Sequence, residues 1–254
     1  RAIPYYEEGT IKIAQDAPQN HADPSAVSFD YVFNNANVKD GFFSYSGTSS
    51  KTRFNVLNIS YFDLATQEVD YVTVKDTSAQ AKYGTQTKTI NTFGTTSRGQ
   101  AQRVGKWFLQ TQQSQTETVI FETNVAAGSV LRVGDTIGIS DRVKGATRRG
   151  GLVKSATVGQ VIIDSGSETN LPDLSDTPEI SCILSDGTVE TRPIEFYSLG
   201  GSAVNVSQNF TSAPVENSPY ILESGDFSAQ SFRITSIKEN NNKTSAIAAV
   251  IHNE

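Results

Sequence analysis

The chain is short of the residues on which most protein chemistry depends. Of its 254 residues one is cysteine, two are histidine, one is tryptophan and none is methionine. A lone cysteine, Cys182, cannot close an internal disulfide, and its place in the apolar run ISCIL reads as a small buried hydrophobe rather than a reactive thiol. His21 falls in a loop-like stretch and His252 close to the last residue, so no spacing gathers imidazole or thiolate ligands and no zinc site is expected. GxSxG is missing and neither histidine has a triad-like context, which removes the usual nucleophilic hydrolases. No run of about 18 apolar residues occurs, so no membrane-spanning helix is expected. The opening RAIPYYEEG has no basic-then-apolar leader, and without any methionine the chain is expected to be a piece of something longer. Acidic residues outnumber basic ones 27 to 21, and a net charge of −6 argues against a nucleic-acid groove, which needs a cationic surface.

What remains is a globular composition with 37% hydrophobic and 19% charged residues, long enough for two modest β-rich units. GTIKIAQD (9–16) alternates as a half-buried strand with Ile11 and Ile13 on one face. Residues 17–38 read as an irregular stretch, GFFSYSGTSSKTRFNVLNISYFD as strand, turn and strand, and EVDYVTVKD as a strand with Val72 and Val74 on one face. SVLRVGDTIGISD reads as two short strands around Gly134-Asp135. Hairpins are expected at Gly159-Gln160, at Asp186-Gly187 and in SFRITSIKENNNKTSAIAAVIH. Stretches 166–179 and 200–219 read as exposed connections.

One helix stands out, over about 97–112, in TSRGQAQRVGKWFL. Ser97 is expected as N-cap with Gln100 completing a capping box, and Ala101, Val104 and Phe108 form the apolar face with Trp107 beside them. Arg98, Gln102, Arg103 and Lys106 fall elsewhere and are expected to be wet. Gly105 costs such a helix about 1 kcal/mol against alanine, which a close approach to a neighbouring strand would explain.

Paired carboxylates are the chemistry hardest to exclude, because a glycosidase needs only two acids. Asp135, Asp141, Asp173, Asp176 and Asp186 each lie at a turn or strand end, where local hydrogen bonding is the expected role. KGATRRGG, from Lys144 to Gly151, concentrates Lys144, Arg148 and Arg149 among glycines. It reads first as a solvated loop tip, with phosphate or polyanion binding as the other reading. Asn-x-Ser/Thr triplets at Asn58, Asn205, Asn209 and Asn242 are expected to arise by chance in so polar a chain. Phe42, Phe43 and Tyr45 are the candidate platform if the chain is a carbohydrate-binding module, with core packing as their plainer role. A phage depolymerase is a third reading and would require two essential acids.

The string KYGTQTKTINTFGTTSRGQAQRVGKWFL, Lys82 to Leu109, resembles the tail-tip host-specificity family of lambda-like siphophages, the central tail fibre or J protein, in its baseplate-hub region. YYEEGTIKIAQD, TETVIFET, VGDTIGISD, SDGTVETR and FRITSIKENNNKTSAIAAVIHNE resemble further pieces of the same region in the same order, with 165–220 least alike. Thr95 stands where many relatives carry cysteine. The resemblance implies two β-barrel- or sandwich-like hub domains, 1–126 carrying the single helix and 127–254 built from hairpins. It also implies a homotrimer that closes the distal tail tube and contacts the tape-measure and other tip proteins. It implies no catalytic residue, cofactor or metal, and a virion location after synthesis in the host cytoplasm. Ser97, Arg98, Gln100, Ala101, Val104, Trp107 and Phe108 would then form a packing or interface helix, either between domains or subunits or as a plug in its own barrel.

Overall fold

The computed structural model describes residues 2–7, 9–15, 29–47, 53–164, 171–225, 227–240 and 243–252. The protein is mainly β, and it divides into two compact units, residues 46–117 and residues 1–45 with 118–254. The expected cut at 126/127 differs from this division: the smaller unit is inserted into the larger, which takes strands from both sides of that cut.

The larger unit opens with a hairpin, β1 (Ala2–Glu7) and β2 (Thr10–Gln15), in which Pro4 faces Ile13 and Tyr6 faces Ile11. Ile11 and Ile13 are 79% and 69% exposed rather than half-buried, because among the described residues the pair forms a two-stranded sheet of its own. The stretch expected to be irregular holds β3 (Tyr31–Asn34); His21 lies outside the described residues. β3 is buried on both faces, so its four residues show no alternation. β4 (Ser44–Gly47) follows, and the chain then enters the smaller unit.

In residues 46–117, β5 (Val56–Asp63) pairs antiparallel with β6 (Glu68–Lys75) and parallel with β7 (Thr87–Asn91). A parallel neighbour needs a crossover, and α1 (Thr77–Tyr83) lies in it. Asp76 starts α1 by accepting from the Ser78 and Ala79 amides, and Gly84 ends it at φ 74°. α2 (Arg98–Ser114) then packs on Leu57, Ile59, Tyr61, Val72 and Val74.

The chain rejoins the larger unit through β8 (Glu117–Asn124). Where a strand was expected at the start of SVLRVG, α3 (Val125–Val130) forms instead, capped by Asn124 on the Ala127 amide. β9 (Thr136–Ser140) and the one-turn α4 (Arg142–Gly145), capped by Asp141, come next. Among the described residues there are thus three short α-helices besides α2, each begun by an Asp or Asn side chain.

β10 (Gly150–Ala156), β11 (Gln160–Ile163), β12 (Glu179–Ile183), β13 (Val189–Ser198), β14 (Ala203–Val206) and β15 (Pro219–Glu223) close a barrel in the order β10-β11-β14-β13-β12-β15. Val153, Val161, Ile163, Ile180, Cys182, Val204, Tyr220 and Leu222 fill it, as the interior of so small a barrel requires. Asp186-Gly187 makes the expected turn, with Gly187 at φ 85°. The connection expected at 200–219 is instead part of the barrel: β14 is its closing strand and Phe210 is buried against its core.

β16 (Gln230–Asn240) and β17 (Thr244–Ile251) form the last hairpin and complete a six-stranded sheet, β3-β9-β16-β17-β8-β4. Its core is built on Phe33, Phe121, Ile137, Ile139, Phe232 and Ile247, with Ala127 and Leu131 covering one end. β3 serves both layers, since Phe33 enters this core while Val32 packs with Ile183 and Ile221 of the barrel wall. Asn34 stitches the join, donating from Nδ2 to the carbonyls of Gly151 (2.9 Å) and Tyr220 (3.0 Å).

Candidate interaction surfaces

α2 lies where the sequence places it, but its inner face is turned. Ala101, Gly105 and Leu109 are its buried residues, with Phe108 packed against the same cluster, while Val104 and Trp107 are half-buried. A Cβ at Gly105 would overlap the Ile59 Cδ1 atom and stand 2.8 Å from Val74 Cγ2. The glycine is therefore what lets the helix backbone lie on β5 and β6, and it counts as an inward position although it has no side chain. Trp107 meets Phe108 edge-on at 4.9 Å. Ser97 occupies the N-cap position, yet its hydroxyl makes no capping bond and Gln100 is exposed, so the capping box is not formed. Arg98 is exposed as well.

On the opposite face of the same sheet lies a surface that sequence reasoning overlooked. Phe62 opposes Val69 and Ser60 opposes Tyr71, and Phe62, Val69 and Tyr71 are all exposed. Beside them Thr73 Oγ1 donates to Asn58 Oδ1 (2.8 Å) and Ser60 Oγ to Asn91 Oδ1 (2.9 Å). The alternation that puts Val72 and Val74 inward was the available signal, since it puts Val69, Tyr71 and Thr73 outward. The expected aromatic platform is not assembled. Phe43 is in the core, Phe42 is 68% exposed, and Tyr45 packs against the core with Lys144 Nζ 4.5 Å above its ring.

The candidate acids serve the backbone next to them. Asp135 accepts from the Arg132 amide, Asp141 from Val143, Asp173 from Ser175 and Asp186 from Thr188; Asp176 ends a 3-10 turn at Leu174–Asp176. The Thr188 hydroxyl and then its amide hold the Asp186 carboxyl below the usual range. Two carboxylates not anticipated, Glu179 and Glu223, face each other across β12 and β15. Burial pushes the Glu223 carboxyl up, opposed by the Ala229 amide it accepts at 2.7 Å and reinforced by Glu179. Only strand register brings them together, and no sequence motif marks them. Cys182 is fully buried in the barrel, which raises its thiol. His252 Nε2 lies 3.0 Å from Arg233 Nη2. Asn58, Asn205 and Asn209 lie within the described residues and Asn242 lies outside them. Among the described residues no group of three or more His, Cys, Asp or Glu could hold a metal, and no helix is long and apolar enough to cross a membrane.

KGATRRGG runs from the end of α4 through a short connection, with Lys144 and Ala146 exposed, into β10. Gly150 and Gly151 are buried in β10, where a Cβ on Gly150 would stand 2.9 Å from Asn34 Cβ and 3.0 Å from the Tyr220 carbonyl. Arg148 pairs with Asp164 at 2.9 Å, and Tyr220 donates to the same carboxylate at 3.2 Å. Arg148 and Arg149 thus arrive at the barrel end beside a cavity of about 400 Å³ that Arg142 and Asn35 also line.

This mainly β chain, with its exposed sheet face and clamped helix, is matched along most of its length by tail proteins. Residues 3–153 match the family described as "Putative phage tail protein", and the chain belongs to that family. It is 28% identical over 257 aligned residues, 98% of its length, to the Tip attachment protein J of Escherichia phage SECphi27. It is 26% identical over 223 residues, 85% of its length, to that of Escherichia phage SECphi4. The chain spans about a fifth of each relative, 20% and 19%. Both relatives are named for attachment at the tip and neither name denotes an enzyme. Among solved structures, a native gene transfer agent virion aligns with 90% of this chain and 32% of its own (12% identity, TM-score 0.44). A tail protein from Neisseria meningitidis MC58 aligns with 98% of this chain and 50% of its own (9% identity, TM-score 0.40).

Proposed function

We propose that this chain is hub rather than adhesin: a segment of the central tail-fibre or host-specificity protein that closes the distal tail tube of a phage or prophage. In this reading it organises tip assembly for host attachment and DNA delivery. The observation that carries the proposal is the match to tip attachment protein J along 98% of the chain. The working unit is a homotrimer made in the host cytoplasm and carried in the virion. Its neighbours are other tip proteins, the end of the tail tube and the tape-measure protein. α2 fits a rigid role here, because Gly105 locks it to its own sheet and holds its wet side in a fixed position. Ser97, Arg98 and Gln100 open that helix and Trp107 stands at the margin of its packed side.

Light scattering behind a sizing column, over a wide concentration range, tests the trimer. The expected result is a species of three times the 27.4 kDa chain mass as concentration rises. A strict monomer throughout overturns the claim that these residues close the ring.

A further inference from the structure

We infer that the cavity beside the barrel end is a receptor for a single oxyanion, a carboxylate or phosphate group. Three guanidinium-bearing residues, Arg142, Arg148 and Arg149, line about 400 Å³ of space together with Asn35 and Ser140. Asp40 is the one acidic residue among the lining. Guanidinium forks match the paired oxygens of carboxylate and phosphate, and their bonds are charge-assisted.

The walls are built rather than incidental. Asn35 donates from Nδ2 to the Gly41 carbonyl (2.8 Å) and to Asp141 Oδ1 (3.0 Å), and its Oδ1 accepts from the Arg142 amide (2.8 Å). One side chain therefore ties the Asp40-Gly41 turn to the start of α4. Its neighbour Asn34 bonds the carbonyls of Tyr220 and of Gly151, next to the lining residue Gly150. Arg148 is oriented by Asp164 and by its Nε bond to the Gly150 carbonyl (3.2 Å). Arg149 is half-buried, with Nε and Nη1 withdrawn from solvent. The lining holds three arginines against Asp40, with Arg148 offset by Asp164, on a chain whose net charge is −6. A polyanion would meet the repulsion of the whole surface, whereas one small anionic group meets only the pocket.

The test is titration of the full chain, followed by amide NMR, with inorganic phosphate and separately with N-acetyl-aspartate α-amide, at constant ionic strength. Expected are saturable shifts at Asn35, Gly41, Arg142 and Gly150, with the two probes competing. Loss of one charge-assisted bond is expected to weaken binding about tenfold in Arg149→Gln. Arg142→Gln, at an exposed position, gives the same reading if the first variant fails to fold. Tighter phosphate binding identifies a free oxyanion as the natural occupant; tighter aspartate binding identifies a side-chain carboxylate of a neighbouring protein. Shifts scattered over all surface cations, or titrations unchanged in Arg142→Gln, overturn the proposal.

Discussion

At the scale of single residues, Gly105 settles how the smaller unit is packed. Alanine is the better helix former by about 1 kcal/mol, and a surface position would gain that much. Here the added methyl would have to displace Ile59 and Val74, and overpacking a filled core costs about 1–3 kcal/mol. Gly105→Ala is therefore expected to lower stability by up to about 2 kcal/mol, read as the shift in a urea midpoint at unchanged slope. A stabilised variant would show that the helix is free to back away from the sheet. The sequence marks Gly105 as a cost without showing what it is for. Ala101, Val104 and Phe108 look like the inner stripe when only side chains are counted, and adding the bare backbone at 105 turns the stripe toward Leu109.

At the scale of elements, α1 depends on its first residue. Asp76 accepts from the Ser78 hydroxyl and from the Ser78 and Ala79 amides, and it also holds the Gln113 amide of α2. These bonds, the Ser78 hydroxyl first, draw its carboxyl from an ordinary 3.8 to about 2. A depressed acid stabilises the fold above its unfolded value and loses that contribution as pH falls through the folded one. The window here is therefore from 3.8 down to about 2. Asp76→Ala is expected to cost about 1 kcal/mol at neutral pH, and the difference from the parent protein should shrink from pH 3.8 downward and be lost below about 2. A gap that persists in acid would mean the carboxylate charge is not the cause. The Asp186-Gly187 turn and the long amphipathic α2 could be read from sequence, whereas α1, α3 and α4, though each begins on an Asp or Asn, are too short to show a helical period. β3 and β14 could not be read either. Each is four residues long, each stands among Asn, Ser and Gly, and neither alternates cleanly, because the partners that bury them come from far along the chain.

At the scale of the molecule, two compact units imply two unfolding events. Trp107, the only tryptophan, belongs to residues 46–117, so its fluorescence follows that unit alone. Far-ultraviolet circular dichroism follows both. Urea curves from the two probes are expected to separate, with Gly105→Ala moving the fluorescence curve and leaving the later part of the dichroism curve in place. Coincident curves would make the chain one cooperative body. This division was hidden in the sequence because strand pairing is not local: the six-stranded sheet draws β3, β4 and β8 from one side of the expected boundary and β9, β16 and β17 from the other. The chain leaves the sheet from β4 and comes back on β8, and those two strands are neighbours. The two ends of the inserted unit therefore lie side by side, so a replacement for residues 46–117 would need to span only the gap between neighbouring strands.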